Sequence, residues 1–246
     1  MIDSVPVFVL AALAVVFAGV SKAGFGSGAA FASASVLALV MPPREALGVM
    51  LPLLMLVDLT TLPPFWKKWS WPDAKVLILG GLPGVAAGVW LFAQADDDVL
   101  RLLIGGVSLG FVIWRLWPGA TRAREVPLWG GYVAGMVAGF TSFVSHAGGP
   151  PAAVFLLSRG MGKTTYQATT VLVFWVINIA KFVPYAFLGA FTMQTLWANV
   201  MLTPFALLGA YVGVKAHYAI PERAFFGVTY VLLTITGIKL VFDAVT

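Results

Sequence analysis

The sequence contains no cysteine, and only 10% of its 246 residues are charged. Without cysteine there are no disulfides, thiolate metal ligands or cysteine nucleophiles. Soluble chains carry about 25% charged residues, so this chain has too few to cover a water-soluble domain of its size. The shortage of charge therefore excludes a soluble enzyme.

Apolar residues take the place of the missing charges: 60% of the chain is hydrophobic, and the mean hydropathy is +0.95. A helix that crosses a membrane needs about 20 apolar residues. The net charge of +5 does not indicate nucleic acid, because the basic residues stand singly or in twos between apolar runs. The sequence predicts an all-α polytopic membrane protein with the lipid bilayer as its partner and no nucleic-acid partner. Its predicted helical segments lie near 5–21, 25–41, 46–66, 75–94, 99–117, 127–144, 148–158, 165–190, 195–214 and 223–242.

The two halves of the chain resemble each other at an offset of 120 residues. Ala18-Gly19 aligns with Ala138-Gly139, Asp58 with Asn178, and Pro64 with Pro184. The alignment predicts a first repeat over 1–120 and a second over 121–246, each with five helical segments in one transmembrane domain. Because five is odd, the second copy must enter the membrane from the opposite side, as in the inverted repeats of secondary transporters.

The distribution of basic residues predicts the orientation of the chain. Cytoplasmic loops are enriched in Lys and Arg. With the N-terminus outside, ten basic residues fall inside and three outside, so we expect both termini outside a multi-pass protein of the inner cell membrane. The inside set is Lys67, Lys68, Lys75, Arg115, Arg122, Arg124, Arg159, Lys163, Lys215 and Arg223, and the outside set is Arg44, Arg101 and Lys239.

Segment 148–158 is too short to cross a membrane. Its eleven residues form a helix about 16 Å long, whereas the hydrocarbon core is about 30 Å thick. We expect 127–144 with 148–158, and likewise 5–21 with 25–41, to form re-entrant or broken hairpins whose tips lie within the membrane. The tips read GVSKAGFGSG and TSFVSHAGGPP. A helix N-terminus at each tip suits an anion, although small residues at these places are also typical of close helix packing.

The tips and the segments that follow them resemble a known family. The runs GVSKAGFGSGAAF and MPPREALGVMLPLLMLVDL in the first half, and GFTSFVSHAGGPPAAVFLL and GKTTYQATTVLVFWVINIAKFVPY in the second, are similar to the TauE/SafE family of sulfite and organosulfonate exporters. The resemblance covers nearly the whole chain. It implies transport of small anions, commonly sulfur-containing ones such as sulfite or sulfoacetate.

Polar residues at the tips and in the apolar segments are the candidates for a substrate site. Lys22 offers a fixed positive charge, although it could instead extend its ammonium to the membrane surface. His146 could bind an anion or relay a proton, or simply cap a helix. Lys181 could reach the cavity because Pro184 kinks its helix. The predicted substrate-binding residues are Lys22, Gly26, Ser27, Gly28, Ser145, His146, Gly148, Gly149, Asn178 and Lys181.

Asp58 is the candidate coupling residue. It lies about 12 Å inside its segment, where an ionised carboxylate costs about 2.5–3.5 kcal/mol. Lys22, Lys181, a proton or a sodium ion could compensate it, and a purely structural ion pair is the alternative. The sequence predicts no metal site and no cofactor.

These observations favour a secondary transporter that moves a small anion by alternating access, and the family resemblance implies proton-coupled export. An anion channel of the same fold is the first alternative. An intramembrane serine hydrolase with Ser27 as nucleophile and His146 as base is the second, but there is no HExxH motif and no third acid near His146. We therefore expect no enzyme activity. A second copy of the chain, as a homodimer, is a further candidate partner.

Overall fold

The fold is built from α-helices. A computed structural model describes residues 4–25, 30–117, 126–219 and 222–246, with side chains described except at 217–219 and 222–226. Within these ranges there are ten α-helices, a short 3-10 turn at Pro63–Phe65, and no strand, which confirms the all-helical prediction. The helices are α1 (Val5–Phe25), α2 (Phe31–Leu37), α3 (Pro43–Thr61), α4 (Trp71–Gln94), α5 (Asp97–Leu116), α6 (Gly130–Ser145), α7 (Gly149–Ser158), α8 (Lys163–Phe187), α9 (Met193–Ala219) and α10 (Glu222–Val245).

Six of the described helices, α1, α4, α5, α8, α9 and α10, are long and apolar enough to cross a membrane. Large apolar side chains on the outside of the bundle stay exposed, among them Trp90, Phe187 and Ile235. Such a surface is unfavourable in water but matches the hydrocarbon of a bilayer. The chain is therefore a multi-pass membrane protein.

The second helix is much shorter than the predicted segment 25–41. In the structure α2 has seven residues and ends at Leu37, and turns follow up to Met41. Pro42 and Pro43 keep the chain from resuming a helix at Met41, because a residue that precedes proline is pushed out of the helical conformation. Pro42 itself is extended, with φ −52° and ψ 136°. Residues 26–29 of the predicted segment lie outside the described part of the chain.

The break between α6 and α7 lies where the sequence predicts it. α6 ends at Ser145, and His146 adopts the left-handed conformation with φ 57°. Pro150 stands in the first turn of α7, where proline is favoured because its missing N–H has no partner to lose. With ten residues, α7 is about 15 Å long, half of what a crossing requires.

Two helix pairs, α4 with α6 and α1 with α9, make the most extensive contacts in the described bundle. Both pairs rely on glycine at the crossing. A Cβ atom on Gly84 would lie 2.1 Å from the carbonyl oxygen of Met136 on α6, and one on Gly209 would lie 2.5 Å from that of Val16 on α1. Small residues let membrane helices approach to backbone contact, so these crossings exclude both lipid and water.

The helices α3 and α8 pack against each other between these pairs. α3 also contacts α1 and α9, and α8 also contacts α4. Their facing sides carry buried polar residues, Asp58 on α3 and Asn178 and Lys181 on α8. Arg44, at the start of α3, donates to carbonyl oxygens of Leu188 at the end of α8 (2.9 Å) and Ala95 at the end of α4 (3.0 Å), which ties the three helices together.

We expect Gly84→Ala to destabilise the protein by about 1–3 kcal/mol, because the added methyl group forces α4 and α6 apart. Gly106→Ala on α5 is the matched control, since a Cβ atom there meets nothing within 4 Å. It should leave stability unchanged or slightly higher, because alanine is the better helix former. Thermal unfolding of both variants in detergent checks this, and equal stability of the two would contradict the proposed role of Gly84.

Candidate anion-binding site

Lys22 lies in the last turn of α1, and its ammonium turns inward. Its side chain is 3% exposed, and Nζ lies 2.9 Å from Oδ1 of Asp58 on α3. The alternative in which Lys22 extends its ammonium to the membrane surface is therefore wrong. Of the two lysines considered as partners for Asp58, Lys22 is the one that forms the ion pair.

The carboxylate of Asp58 is fully buried and is held by two other helices. Oδ2 accepts a hydrogen bond of 3.0 Å from Nδ2 of Asn178 on α8. Oδ1 lies 2.9 Å from Nζ of Lys22, which is within the range of a charge-assisted hydrogen bond. The two oxygens of Asp58 are thus contacted from two different helices, α1 and α8.

Lys22 has few other neighbours that could take its hydrogen bonds. The ring of Phe174 on α8 lies below its ammonium, 5.5 Å from Nζ to the ring centre. Within the described ranges, Nζ has no acceptor besides Asp58. An ammonium has three donors, so Lys22 retains donors for a further negatively charged group.

The ammonium of Lys181 is, by contrast, fully engaged. Lys181 stands one turn after Asn178 on α8 and is 0% exposed. Nζ donates to the carbonyl oxygen of Ser142 (2.6 Å) and to its Oγ (3.1 Å), and it lies 2.8 Å from Nδ1 of His146. Three acceptors around one ammonium satisfy its three N–H bonds.

His146 connects Lys181 to α3. Its Nε2 lies 3.1 Å from the carbonyl oxygen of Leu47. A carbonyl only accepts, so Nε2 carries the hydrogen and Nδ1 presents its lone pair to Lys181. This assigns the neutral Nε2–H tautomer from the hydrogen-bond network. The left-handed backbone of His146 places the ring between α3 and α8.

The remaining predicted residues fall into three groups. Ser145 donates back to the carbonyl oxygen of Thr141 at 2.9 Å, as hydroxyls in membrane helices often do. Gly148 packs tightly, because a Cβ there would lie 2.6 Å from the carbonyl oxygen of Ala138. Gly149 begins α7 and is buried. Gly26, Ser27 and Gly28 lie outside the described residues.

Sequence reasoning missed two buried side chains that stabilise the ends of α1 and α6. Gln167 on α8 donates from Nε2 to the carbonyl oxygens of Lys22 (2.8 Å) and Ala23 (3.0 Å), which fixes the end of α1. Tyr185 donates to the carbonyl oxygen of Phe143 at 2.5 Å. Polar residues inside a long apolar segment are the signal that would have found both of them.

A groove of about 270 Å³ lies on the other side of the second hairpin tip and is not part of the charged cluster. Its walls are apolar apart from Thr141, whose hydroxyl donates to its own helix. The groove is lined by Val107, Phe111 and Trp114 of α5 and by Thr141, Ala147, Pro150, Pro151 and Val154.

Together these contacts define an all-helical, multi-pass membrane protein with two buried lysines, one in the last turn of α1 and one packed against the end of α6. The sequence model of the family "Sulfite exporter TauE/SafE" matches residues 11–240. The chain belongs to this transporter family, which at the family level exports sulfite. No curated protein and no solved structure matches the chain significantly.

We expect Asp58→Leu to lower the free energy of unfolding by about 3–5 kcal/mol, because the Lys22 ammonium remains buried without its counter-ion. The double variant Lys22→Met with Asp58→Leu removes both charges and should recover most of this loss, since apolar replacement of a buried pair is often neutral. Unfolding in detergent measures both variants. A double variant as unstable as the single one would show that the ion pair itself, and not charge compensation, stabilises the site.

Proposed function

We propose that the protein is a secondary transporter that exports a small anion, sulfite or an organosulfonate such as sulfoacetate, by proton-coupled alternating access. The observation that carries this proposal is the charge of the buried cluster. Lys22 and Lys181 are each at most 3% exposed, and Asp58 is the carboxylate paired within their cluster. One buried positive charge is left without a counter-ion, which is costly in a membrane interior and favours a bound anion.

In this proposal the anion binds first to Lys22. Its ammonium has N–H donors that no described acceptor takes, and its neighbour on α8 is the apolar ring of Phe174. The N-terminus of α7, at Gly149, directs the positive end of its helix dipole toward the second hairpin tip. Gly26, Ser27 and Gly28 are included in the proposed site on the sequence prediction alone, and Ser145, His146, Gly148, Asn178 and Lys181 are its proposed members from the second half.

We propose further that residues 1–120 and 121–246 are inverted repeats. The packing of the helices supports this. Each helix of the first five corresponds to the helix five places later, so α4 corresponds to α9 and α1 corresponds to α6. The α4–α6 pair therefore corresponds to the α9–α1 pair, and these are the two most extensive pairs of the described bundle. Asp58 and Asn178, which align at the offset of 120, hydrogen-bond to each other between α3 and α8. Sites of inverted-repeat transporters lie where the repeats meet.

The orientation and location are also part of the proposal. The excess of basic residues on one set of loops supports a multi-pass protein of the inner cell membrane with both termini outside. Export requires that the site open first to the cytoplasmic side. Two hairpin tips that face each other would then form the site that alternates between the two aqueous sides.

Asp58 is the proposed carrier of the coupling proton. A proton on its carboxylate would release Lys22 from the ion pair. Loss of that proton would restore the negative charge of Asp58 and re-form the pair. Its counterpart Asn178 is neutral, so one carboxylate carries the coupling charge of the site. A coupling sodium ion is the alternative that the transport assay distinguishes.

We expect Lys22→Gln to weaken binding of sulfite and methanesulfonate by about tenfold or more, because a hydrogen bond to a charged donor contributes about 1.5–3 kcal/mol. Glutamine can still donate to Asp58, which limits damage to the fold. Lys75→Gln is the matched control, since Lys75 is exposed on α4 and the change in net charge is the same. Titration of the purified proteins measures the affinities. Undiminished binding by the Lys22 variant would remove Lys22 from the site.

We expect Asp58→Asn to abolish accumulation of sulfite driven by a pH gradient in proteoliposomes, while exchange of sulfite across the membrane persists. Asparagine keeps the shape and the Asn178 contact but cannot carry a proton. Asp98→Asn is the control, because Asp98 is exposed and forms a surface ion pair with Arg101. Unchanged accumulation would exclude Asp58 from coupling. A wild-type flux that needs no gradient and far exceeds carrier rates would indicate a channel. Accumulation that depends on a sodium gradient would show that the coupling ion is sodium and not a proton.

A further inference from the structure

The sum of the charges at the buried site decides which anions fit it. Lys22 and Lys181 contribute two positive charges, and Asp58 contributes one negative charge. His146 contributes none, because its Nε2 donates to Leu47 and its Nδ1 lone pair faces the Lys181 ammonium. The site therefore carries one surplus positive charge.

No other described charge enters this sum. Lys22 on α1 and Lys181 on α8 are the charged side chains whose fields act on Asp58 among the described residues. The titratable groups around Lys181 are His146 and Tyr185, and the hydroxyl of Tyr185 donates to a backbone carbonyl. Arg44 lies farther out, over the Phe92 ring, and its guanidinium meets carbonyl oxygens at the ends of α4 and α8.

We propose that the site is matched to an anion with a single negative charge, and that a divalent anion enters only together with one proton, which Asp58 takes up. This inference rests on the proposed function and specifies the substrate class of the same site. The univalent class comprises methanesulfonate and hydrogen sulfite, whereas sulfite and sulfoacetate carry two negative charges and would enter together with the proton.

The reason is the cost of net charge in a low-dielectric interior. A univalent anion beside Lys22 makes the site neutral while Asp58 stays ionised. A divalent anion would leave one negative charge uncompensated, and buried charges without a partner are strongly unfavourable. A proton from solution on an oxygen of Asp58 restores neutrality, and it leaves Lys22 to the anion. Oδ1 contacts the Lys22 ammonium, and Oδ2 accepts from Asn178, so Oδ1 becomes available for the proton when Lys22 turns to the anion.

The test compares methanesulfonate with sulfate, which are similar in size and differ in charge. Calorimetric titration of the purified protein in buffers of different ionisation enthalpy gives both the affinity and the number of protons taken up. We expect methanesulfonate to bind without net proton uptake. Sulfate should bind at least about tenfold more weakly, with uptake of one proton, and its affinity should fall by about tenfold for each unit of rising pH around neutrality.

The Asp58→Asn variant provides an independent measurement. It raises the surplus positive charge from one to two, so the order of affinities should reverse and sulfate should bind more tightly than methanesulfonate. Sulfate binding to this variant should take up no proton and should no longer depend on pH. Asp98→Asn, which changes the net charge equally at an exposed position, should retain the wild-type order.

Several results would overturn the inference. Sulfate binding to the wild-type protein as tightly as methanesulfonate and without a proton would exclude the charge match. Proton uptake with methanesulfonate, or an unchanged order in a folded Asp58→Asn variant, would do the same. If that variant does not fold, the wild-type titrations alone decide. Binding of neither anion would instead contradict the proposed anion site itself, so the two failures remain distinguishable.

Discussion

The ion pair between Lys22 and Asp58 is the constraint on which the rest of the structure depends. Neither charge can reach water, because both side chains are almost completely buried. The last turn of α1 must therefore lie against α3, and the amide of Gln167 holds it there through the carbonyl oxygens of Lys22 and Ala23. A continuous apolar helix would need none of these contacts. The cost of burying charge in a membrane protein thus selects one arrangement of α1, α3 and α8.

Close helix packing makes that constraint effective. Glycines such as Gly84 and Gly209 bring the backbones of α4 and α6, and of α1 and α9, into direct contact. Such crossings leave no room for water between the helices, so the effective dielectric constant around the charged groups stays low and their interactions stay strong. The same buried charges in a loosely packed bundle would be hydrated, and their sum would have little influence on which ligand binds.

The sequence predicted those features that depend on residue type. The break after Ser145 follows from glycine and proline, whose backbone preferences are local, and the need for a partner to Asp58 follows from its charge. The sequence does not tell which lysine pairs with Asp58, because Lys22 and Lys181 have the same charge and the same side-chain length. The rotation of each helix about its axis decides which ammonium faces the carboxylate. The contact of His146 with Leu47 was also beyond the sequence, since every residue has a carbonyl oxygen and the residue type carries no signal.

The pairing of Asp58 with Asn178 explains why a scaffold with two similar halves holds a single surplus charge. The two side chains meet 3.0 Å apart, at positions that align between the proposed repeats. Two carboxylates at that distance would repel each other unless they shared a proton. Two amides would leave both Lys22 and Lys181 without a counter-ion. One carboxylate beside one amide avoids the repulsion, since the amide donates to the carboxylate, and it leaves one of the two lysine charges without a counter-ion. The difference between the halves at this one pair therefore determines the charge of the whole site.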